Sequence, residues 1–330
     1  MQRLKFSSCV FITLMFAGCL NAPRDNPLDP SSSYFKNSAS INGQVNVRDQ
    51  NTPVVSATVL CVEQGVSVQT DANGVFSFPV LTPGTLTIIC VKDDFSPDTQ
   101  RAQLNAGSSL SLLYSLNGFP IVLSQNILTH KYDQYFPSPQ YFVDISASVI
   151  DPNGLADLDS VWFAVDSLFY PMGYSVSTRL FEVTLYKYDF PTNTIEWLIG
   201  KPLAIWSRDR HGAVSFGQPF AITRIIESTA IPTYPTSLNN DTTSSQPLFK
   251  WSPPAVSFNY TYTLELSRVD AGTETSVWTH SNIGSVVLQF QFPGDLSGQT
   301  LPSGNYAWTV SVVDDFGNSA RSKEAAFVVR

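Results

Sequence analysis

Residues 66–78 read VSVQTDANGVFSF, which is two short runs of alternating apolar and polar residues on either side of the turn sequence DANG. Successive side chains of a β-strand point to opposite faces, so this alternation is typical of strands that bury one face. Asn73 and Gly74 tolerate the positive φ that a tight turn requires. The stretch therefore predicts strand, turn and strand, and it indicates a β protein.

The composition of the whole chain favours the same fold class. The 330 residues include 22 Pro and 18 Gly, and hydrophobic residues make up 43% of the chain against 14% charged residues. Such a chain has ample material for packed cores and for turns, and no stretch of it shows the 3.6-residue apolar period of an amphipathic helix. At roughly 150 residues per domain, the length suggests two to three domains. We expect an all-β protein of three tandem β-sandwich modules, preceded by a signal peptide and a flexible tether.

The first module, residues 39–120, resembles a known domain. The motifs INGQV, ATV, TDANGVFSF, LTPGTLTI and AQLNAGSSLSLLYSL follow one another between Ile41 and Leu116. In this order they resemble the carboxypeptidase regulatory-like domain, a transthyretin-like β-sandwich. The resemblance implies a non-catalytic module, because this domain is an appendage of the enzymes that gave it its name. Another transthyretin-like family hydrolyses a urate breakdown product with histidines, but the first 129 residues contain none.

Two further sandwich modules are predicted after it. Residues 121–226 contain four predicted strands with turn signals roughly every ten residues, which is typical of an immunoglobulin-like sandwich. Residues 227–330 resemble a fibronectin type III domain, with Pro247–Trp251 as the second strand, Tyr260–Leu266 as the third and Leu301–Tyr306 as the tyrosine-corner strand.

A D-x-x-G turn recurs in these two modules. It reads DRHG at residues 209–212 and DDFG at residues 314–317. Each copy precedes a predicted last strand, Phe220–Ile222 in the first case and Phe327–Val329 in the second. We expect the turn to cross between strands at the same corner of each sandwich.

The amino terminus resembles a bacterial lipoprotein signal. Arg3 and Lys5 precede the eleven apolar-core residues Phe6–Phe16, a run too short to span a bilayer, which takes about 20 residues. The sequence FAGC that ends at Cys19 resembles the lipobox, whose cysteine is lipidated and becomes the new amino terminus, although Phe16 stands where that motif prefers leucine. The alternative is ordinary signal-peptidase cleavage, for which no A-x-A pattern is found nearby.

This interpretation gives a signal peptide at residues 1–18 and a lipidated Cys19 with a disordered tether at residues 19–38. A multiply acylated cysteine anchors a protein stably in a membrane. Leu20 is not the Asp that retains lipoproteins in the inner membrane of some bacteria, which favours the outer membrane. We therefore expect a lipid-anchored protein of the bacterial cell envelope, with the membrane as one partner.

The charge balance argues against one class of partner. The chain has 19 Lys and Arg against 27 Asp and Glu. Loss of Arg3 and Lys5 with the signal peptide would leave 17 basic residues, for a net charge of −10. An acidic chain without a basic cluster is not expected to bind nucleic acid.

Cys61 and Cys90 are the two cysteines left for the folded part once Cys9 is removed and Cys19 is acylated. Alternation places Cys61 on the same face of its predicted strand as Val59, and Cys90 on the same face as Ile88. The transthyretin-like topology makes the two strands neighbours. We expect a disulfide between them, since the compartment is oxidising. The alternative is a pair of buried free thiols that act as small apolar residues.

Residues 151–159 read DPNGLADLD, with four oxygen-bearing side chains: Asp151, Asn153, Asp157 and Asp159. Hard cations prefer several carboxylate or amide oxygens, so this run is a weak calcium candidate. Its spacing does not fit an EF-hand, and a turn stabilised by Asp and Asn side chains is the alternative. We expect no cofactor and no other metal site.

The sequence does not predict an enzyme. The three histidines His130, His211 and His280 lie far apart in the chain, and none has a second His or a Cys at metal-ligand spacing. Asp209, His211 and Ser215 are triad residue types, but no G-x-S-x-G motif accompanies them, and neither a zinc-peptidase H-x-x-E nor a phosphate-binding glycine motif occurs.

Aromatic residues in the loops of residues 121–226 are the candidate ligand-binding groups. We single out Tyr135, Tyr170 and Tyr174, which lie in or beside the sequences YFPSPQ and FYPMGY. Exposed aromatic rings stack on sugars or anchor a protein partner, whereas buried ones seal a core. We expect a non-enzymatic envelope lipoprotein that acts as a structural, adhesion or binding module, partnered by a polysaccharide or another envelope protein. The alternative is a carbohydrate-binding accessory protein that uses these aromatics.

Overall fold

A computed structural model describes residues 29, 31–32, 37–136, 138–237, 241–295 and 298–330. The predicted signal peptide and Cys19 lie outside these residues, as does most of the tether. The described chain is built of strands, with short 3₁₀ helices at Leu155–Asp157, Lys187–Asp189 and Ile195–Leu198. The predicted all-β sandwich fold is confirmed. No helix within the described ranges is long and apolar enough to cross a bilayer.

The chain divides into two compact units. Unit 1 contains the described part of residues 1–119 together with two short segments, residues 151–157 and 209–213. Unit 2 contains residues 120–150, 158–208 and 214–330. The two turns DPNG and DRHG thus belong to unit 1, although the strands that flank them belong to unit 2.

Unit 1 is a sandwich of two sheets with strand orders β4-β1-β7 and β3-β2-β5-β6. Its strands are β1 (Ala39–Val47), β2 (Thr58–Cys61), β3 (Val66–Gln69), β4 (Val75–Leu81), β5 (Gly84–Val91), β6 (Asp98–Leu104) and β7 (Ser109–Leu116). Strands β1 and β7 are parallel, and every other pair in this unit is antiparallel. The alternation of the sequence turns one face of each sheet inward, and Ile41, Val45, Val59, Phe76 and Tyr114 are buried between the sheets.

The stretch VSVQTDANGVFSF forms β3, a turn and β4, as its pattern predicts. The two strands do not pair with each other, because β3 and β4 belong to opposite sheets. Asp71 holds the turn: its Oδ1 accepts hydrogen bonds from the backbone N–H groups of Asn73 and Val75, both at 2.8 Å. Gly74 has a φ of 73° and donates to the Asp71 carbonyl at 3.0 Å. The turn therefore carries the chain across the sandwich.

Unit 2 contains the remaining strands: β8 (Ile121–Tyr132), β9 (Gln140–Ile150), β10 (Leu158–Val165), β11 (Leu168–Pro171), β12 (Gly173–Ser175), β13 (Leu180–Tyr186), β14 (Leu203–Asp209), β15 (Val214–Phe216), β16 (Ile231–Tyr234), β17 (Thr242–Thr243), β18 (Leu248–Ser252), β19 (Tyr260–Asp270), β20 (Thr273–Gly284), β21 (Gln289–Gln291), β22 (Gly304–Asp314), β23 (Ser319–Arg321) and β24 (Ala325–Val329). The predicted strand at Phe220–Ile222 is wrong, since Phe220 forms only an isolated bridge with Leu203.

A ten-stranded sheet runs through unit 2 in the order β12-β13-β9-β8-β23-β22-β19-β20, with β24 and β17 attached to β22 in that order. A four-stranded sheet, β11-β10-β14-β15, covers one half of it, and a three-stranded sheet, β16-β18-β21, covers the other. One core therefore lies around Phe163 and Ile145 and the other around Trp251 and Trp308. The predicted boundary between residues 226 and 227 stays a prediction, because both cores lie in one unit.

Parallel pairing of β8 with β23 joins the two halves of this sheet. Asn318 stabilises the join: its Oδ1 accepts from the Thr129 backbone N–H at 2.9 Å, and its Nδ2 donates to Thr223 Oγ1 at 2.8 Å. Arg224 pairs with Asp314 at 2.8 Å in the same network. Asn318 is fully buried, so its polar groups need these partners to avoid a desolvation penalty.

The tyrosine-corner interpretation of residues 301–306 agrees with the structure. Tyr306 is buried, and its hydroxyl donates to the carbonyl of Pro302 at 2.9 Å. A bond from a buried tyrosine to the backbone a few residues upstream is the defining contact of that corner.

Gly43 lies in β1 between β4 and β7, where the packing leaves no room for a side chain. A Cβ at this position would lie 2.4 Å from the Leu112 carbonyl oxygen and 2.4 Å from Cζ of Phe76. The Gly43→Ala variant should therefore lose about 3 kcal/mol of stability in unit 1, since the strands or the ring must shift. Faster thiol labelling of Cys61 and Cys90, which are fully buried in unit 1, will measure the loss.

Gly65→Ala is the matched control. Its Cβ would meet no atom within 4 Å, so only its φ of 64° should cost stability, about 1 kcal/mol. Equal labelling rates for the two variants would contradict the steric explanation.

Candidate functional site

Cys61 and Cys90 lie on the neighbouring strands β2 and β5, but both are free thiols. The predicted disulfide is therefore wrong, and the strand register gives the reason. Val59 faces Cys90 and Cys61 faces Ile88, so the two cysteines are diagonal neighbours. Diagonal side chains are about 7 Å apart, beyond the roughly 4 Å between the Cβ atoms of a disulfide. Burial, followed by the charge of Asp98, raises the pKa of the Cys90 thiol to about 12, so it is not a reactive group.

The run DPNGLADLD begins with the side-chain-stabilised turn that the sequence offered as an alternative to calcium. Asp151 Oδ1 accepts the Asn153 N–H at 2.6 Å, and Gly154 donates to the Asp151 carbonyl at 2.9 Å. Asn153 Oδ1 accepts from the Gly118 N–H at 2.8 Å, and its Nδ2 donates to the carbonyl of Arg48 at 2.9 Å. Both polar groups of Asn153 are thus engaged by the backbone of unit 1.

Gly118 is required for this contact. A Cβ at Gly118 would lie 2.5 Å from Cγ of Pro152, so only glycine lets the turn approach so closely. The last candidate calcium ligand, Asp159, belongs to unit 2 and pairs with Arg208 at 2.7 Å. Asn153 and Asp159 therefore bind other groups of the protein and are not arranged together as calcium ligands.

Asp157, Asp209 and His211 meet in unit 1, and we call them the carboxylate–imidazole cluster. One ligand atom from each lies within 4.8 Å of the others. His211 Nδ1 lies 3.2 Å from Asp157, and its Nε2 lies 3.3 Å from Asp49 Oδ2. Asp209 is buried, and its Oδ1 accepts the N–H groups of His211 and Ala213 at 2.9 and 2.7 Å. The His211 imidazole therefore has a carboxylate at each nitrogen: Asp157 of the cluster at Nδ1 and Asp49, which lies beside the cluster, at Nε2.

Two buried oxygens accompany the cluster. Asn117 is 5% exposed; its Nδ2 donates to Asp209 Oδ2 at 2.6 Å, while its Oδ1 accepts no hydrogen bond from the described residues. Asp151 is 7% exposed, and its Oδ2 likewise has no partner among them. Burial raises the pKa of Asp151 to about 6, with smaller contributions from Asp157 and Asp209 that also raise it. The Asn153 N–H and His211 act in the opposite direction.

Asp209, His211 and Ser215, the residue types of a hydrolase triad, do not form one. Both nitrogens of the His211 imidazole face carboxylates, and Asp209 contacts the His211 backbone N–H. The Ser215 hydroxyl donates to the Pro120 carbonyl and shares a hydrogen bond with Ser207. A nucleophile hydrogen-bonded to its base, the first requirement of triad chemistry, is not formed by these residues.

Of the three predicted ligand-binding tyrosines, Tyr170 is a packing residue. Its ring stacks on Phe163 and meets Phe190 edge to face, and its hydroxyl donates to the Asp189 carbonyl at 2.7 Å. Tyr174 is partly exposed and packs against Phe181 with ring centroids 5.1 Å apart. Tyr170 therefore serves the core.

Tyr135 differs from both, because 69% of it is exposed at the edge of a cavity of about 310 Å³ in unit 2. The apolar lining includes Ile231 and Pro232 from β16. The charged lining consists of Asp133, Lys323 and Glu324, and the Lys323 ammonium lies 5.0 Å from the Tyr135 ring centroid. An aromatic face, an apolar wall and three charged groups thus converge on one cavity.

The sequence alone did not reveal these associations. Asp157 and His211 are 54 positions apart, and Asp133 and Lys323 are separated by most of unit 2. The D-x-x-G turn at residues 209–212 was the usable signal for the cluster, since it carries Asp209 and His211. No comparable local sequence motif indicates the cavity, because its lining comes from segments far apart in the chain.

The raised pKa of Asp151 predicts a pH dependence. The folded state holds this proton up to about pH 6, whereas the unfolded chain releases it near pH 4. Its contribution to stability is therefore fully present below about pH 4 and is lost as the pH rises through about 6. Asp151→Asn should make unit 1 more stable than wild type at pH 7.5, by about 1–2 kcal/mol, but not at pH 4.

Urea unfolding followed by circular dichroism will measure this difference, with a chelator present so that divalent cations do not neutralise the carboxylates. Asp98→Asn is the control for loss of an acidic side chain elsewhere in unit 1. A stability difference that is constant from pH 4 to 8 would contradict the assigned pKa.

Comparison with known proteins gives one family match. Residues 40–116 match the carboxypeptidase regulatory-like domain. No curated protein sequence matches the chain.

Several solved structures are similar in part. A DUF3823 family protein from Bacteroides ovatus is 9% identical, with 56% of this chain and 100% of that chain covered and a TM-score of 0.25. Fibronectin(III)-like modules of Clostridium thermocellum CbhA are 11% identical over 64% of this chain and 93% of theirs, with a TM-score of 0.29. A Bacteroides uniformis protein assigned to carbohydrate binding is 10% identical over 56% and 99%, with a TM-score of 0.23. At these identities and TM-scores, the function of a similar structure cannot be assigned to this chain.

The family match agrees with the motifs from INGQV to AQLNAGSSLSLLYSL and with the two-sheet sandwich that they form. The matched domain is a non-catalytic module. Residues 40–116 of the chain are thus similar to the carboxypeptidase regulatory-like domain in sequence and form a two-sheet sandwich.

Proposed function

We propose that this protein is a lipid-anchored binding protein of the bacterial cell envelope, and that unit 2 binds a saccharide at the Tyr135 cavity. The observation that carries the saccharide assignment is the largely exposed Tyr135 ring at the edge of a cavity with charged groups. Sugars present a flat face of C–H groups and a rim of hydroxyls, so they bind where an aromatic face and hydrogen-bonding side chains converge.

The cavity offers both kinds of contact. Asp133 and Glu324 accept hydrogen bonds from hydroxyls, and Lys323 donates to them. A volume of about 310 Å³ lies at the lower end for small-molecule sites, which run from about 300 to 1,000 Å³. This size suits a single sugar residue or the end of a chain.

The anchor and the location are supported by the sequence. A basic start, a short apolar core and the sequence FAGC at Cys19 favour lipidation, and Leu20 favours the outer membrane. Acylation with two or more chains would hold the protein at the membrane.

Substitution of Tyr135 tests the saccharide site. Tyr135→Ala should weaken glycan binding by at least about tenfold, because the aromatic stacking contact is lost. Glu324→Gln should weaken binding as well, since the carboxylate acceptor becomes a neutral amide. Glycan-array binding followed by titration calorimetry of the best glycan will measure both effects.

Tyr174→Ala is the matched control, since Tyr174 is a partly exposed tyrosine that does not line the cavity. Circular dichroism checks that each variant is folded. Equal affinity of Tyr135→Ala and wild type, or no binding to any glycan, would reject the saccharide site and leave a structural or adhesion module.

The anchor has its own test. Cys19→Ala should move the protein from the membrane fraction to the soluble fraction or leave an uncleaved precursor, since the acyl chains have no attachment point. Cys9→Ala should behave as wild type, because that cysteine would be removed with the signal peptide. Mass spectrometry of the mature amino terminus will show the acylated cysteine, and an unmodified Cys19 in wild type would reject the anchor.

A further inference from the structure

The carboxylate–imidazole cluster has far more negative than positive charge. Asp49, Asp151, Asp157 and Asp209 gather in unit 1, and among the described residues no Lys or Arg forms an ion pair with any of them; His211 is the side chain that lies against Asp49 and Asp157. The three cluster ligand atoms already lie within 4.8 Å of one another. Like charges at such distances repel strongly where water is scarce, so an additional cation would lower the free energy of this arrangement.

The two unpaired oxygens are an independent sign of a ligand. A buried acceptor without a donor costs about 1–3 kcal/mol, and unit 1 carries two such atoms, Asn117 Oδ1 and Asp151 Oδ2. The Asp151 carboxyl interacts electrostatically with Asp157, Asp209 and His211. Asn117 Nδ2 lies 2.6 Å from Asp209 Oδ2, and amide geometry then places Asn117 Oδ1 within about 5 Å of the same carboxylate. Rotation of the amide would bring its oxygen against that carboxylate, so hydrogen bonding favours the recorded orientation.

We propose that the carboxylate–imidazole cluster is a binding site for a divalent transition-metal ion, Zn²⁺ or Mn²⁺. Carboxylate oxygens of Asp157 and Asp209 and Nδ1 of His211 are the ligands, and Asn117 Oδ1 and Asp151 Oδ2 are the nearby oxygens available to complete the shell. One imidazole with several hard oxygens suits these ions, whereas Ca²⁺ prefers oxygen alone.

Asp49 is a positioning residue in this site. Its Oδ2 lies 3.3 Å from His211 Nε2, so in the metal-bound state it would accept the Nε2–H while the Nδ1 lone pair binds the metal. A carboxylate behind the imidazole is a common arrangement at metal-bound histidines, and its loss typically lowers affinity by about 10–100-fold.

The consequence of binding would be structural. The ligands come from the two segments 151–157 and 209–213, and Asn117 and Asp49 come from the part of unit 1 that ends at residue 119. A bound ion would therefore hold these three parts of unit 1 together.

Titration calorimetry of the chelator-treated full-length protein with Zn²⁺, Mn²⁺ and Ca²⁺ tests the proposal. Wild type should bind one Zn²⁺ or Mn²⁺ per chain and Ca²⁺ at least about tenfold more weakly. His211→Ala should weaken binding by at least about 100-fold, and Asp49→Asn by about tenfold. His280→Ala, a substitution in unit 2, should bind as wild type. Bound metal should also slow labelling of Cys61 and Cys90, because an ion that binds only the folded state stabilises it.

His211 is partly exposed and the Asp49 side chain is largely exposed, so both variants are expected to fold, and thiol labelling without metal checks this. No saturable binding to wild type, or equal binding by His211→Ala, would overturn the proposal. A Co²⁺ complex with a sulfur-to-metal charge-transfer band would also overturn it, since the ion would then sit on cysteine.

Discussion

At three places in the described part of this protein, a single aspartate oxygen accepts two backbone N–H groups where a strand ends. In the turns of Asp71, Asp209 and Asp314, Oδ1 accepts the N–H groups two and four residues later, at 2.7 to 2.9 Å. In each, a glycine three residues on takes a positive φ and donates to the aspartate carbonyl. One side chain thus satisfies two backbone donors that would otherwise lack partners, which fixes where the strand stops and which way the chain leaves.

The same turn serves two topologies. After Asp209 and Asp314 it joins adjacent antiparallel strands, β14 with β15 and β22 with β23. After Asp71 it takes the chain from one sheet to the other, and the related turn of Asp151 leads from β9 to β10, which also lie in different sheets. At Asp151 the chain continues into the 3₁₀ helix Leu155–Asp157, and its second carboxylate oxygen remains without a partner among the described residues. The aspartates that stabilise these turns therefore also place buried negative charge in unit 1, at Asp151 and Asp209.

The contrast between predicted and observed features follows the range of the interactions. Alternation, turn glycines and the Tyr306 corner depend on residues close in sequence, so many of the strands and both D-x-x-G turns could be predicted, although Phe220–Ile222 was not a strand. Whether Cys61 could reach Cys90 depended on the register of β2 against β5, in which the two cysteines are offset by two residues. Composition and alternation do not determine that register. The parallel pairing of β8 with β23 and the meeting of Asp157 with His211 depend on tertiary topology, for which the sequence has no local signal. The sequence left Tyr170 open between ligand binding and core packing, because an aromatic near Pro and Gly has the same pattern whether it is exposed or packs on Phe163.

The pairing of β8 with β23 also explains why the cavity of unit 2 exists. It continues past the strands, where the Asp133 N–H donates to the Arg321 carbonyl at 3.0 Å. This bond brings the segment that carries Tyr135 against Lys323, whose ammonium lies over the ring. Ile231 and Pro232 enter from β16, so the lining combines residues from both halves of the ten-stranded sheet and from the sheet that covers one of them. Neither sandwich half of unit 2 contains all of these groups, and the continuous sheet is therefore the structural requirement for the binding site that we assign to Tyr135.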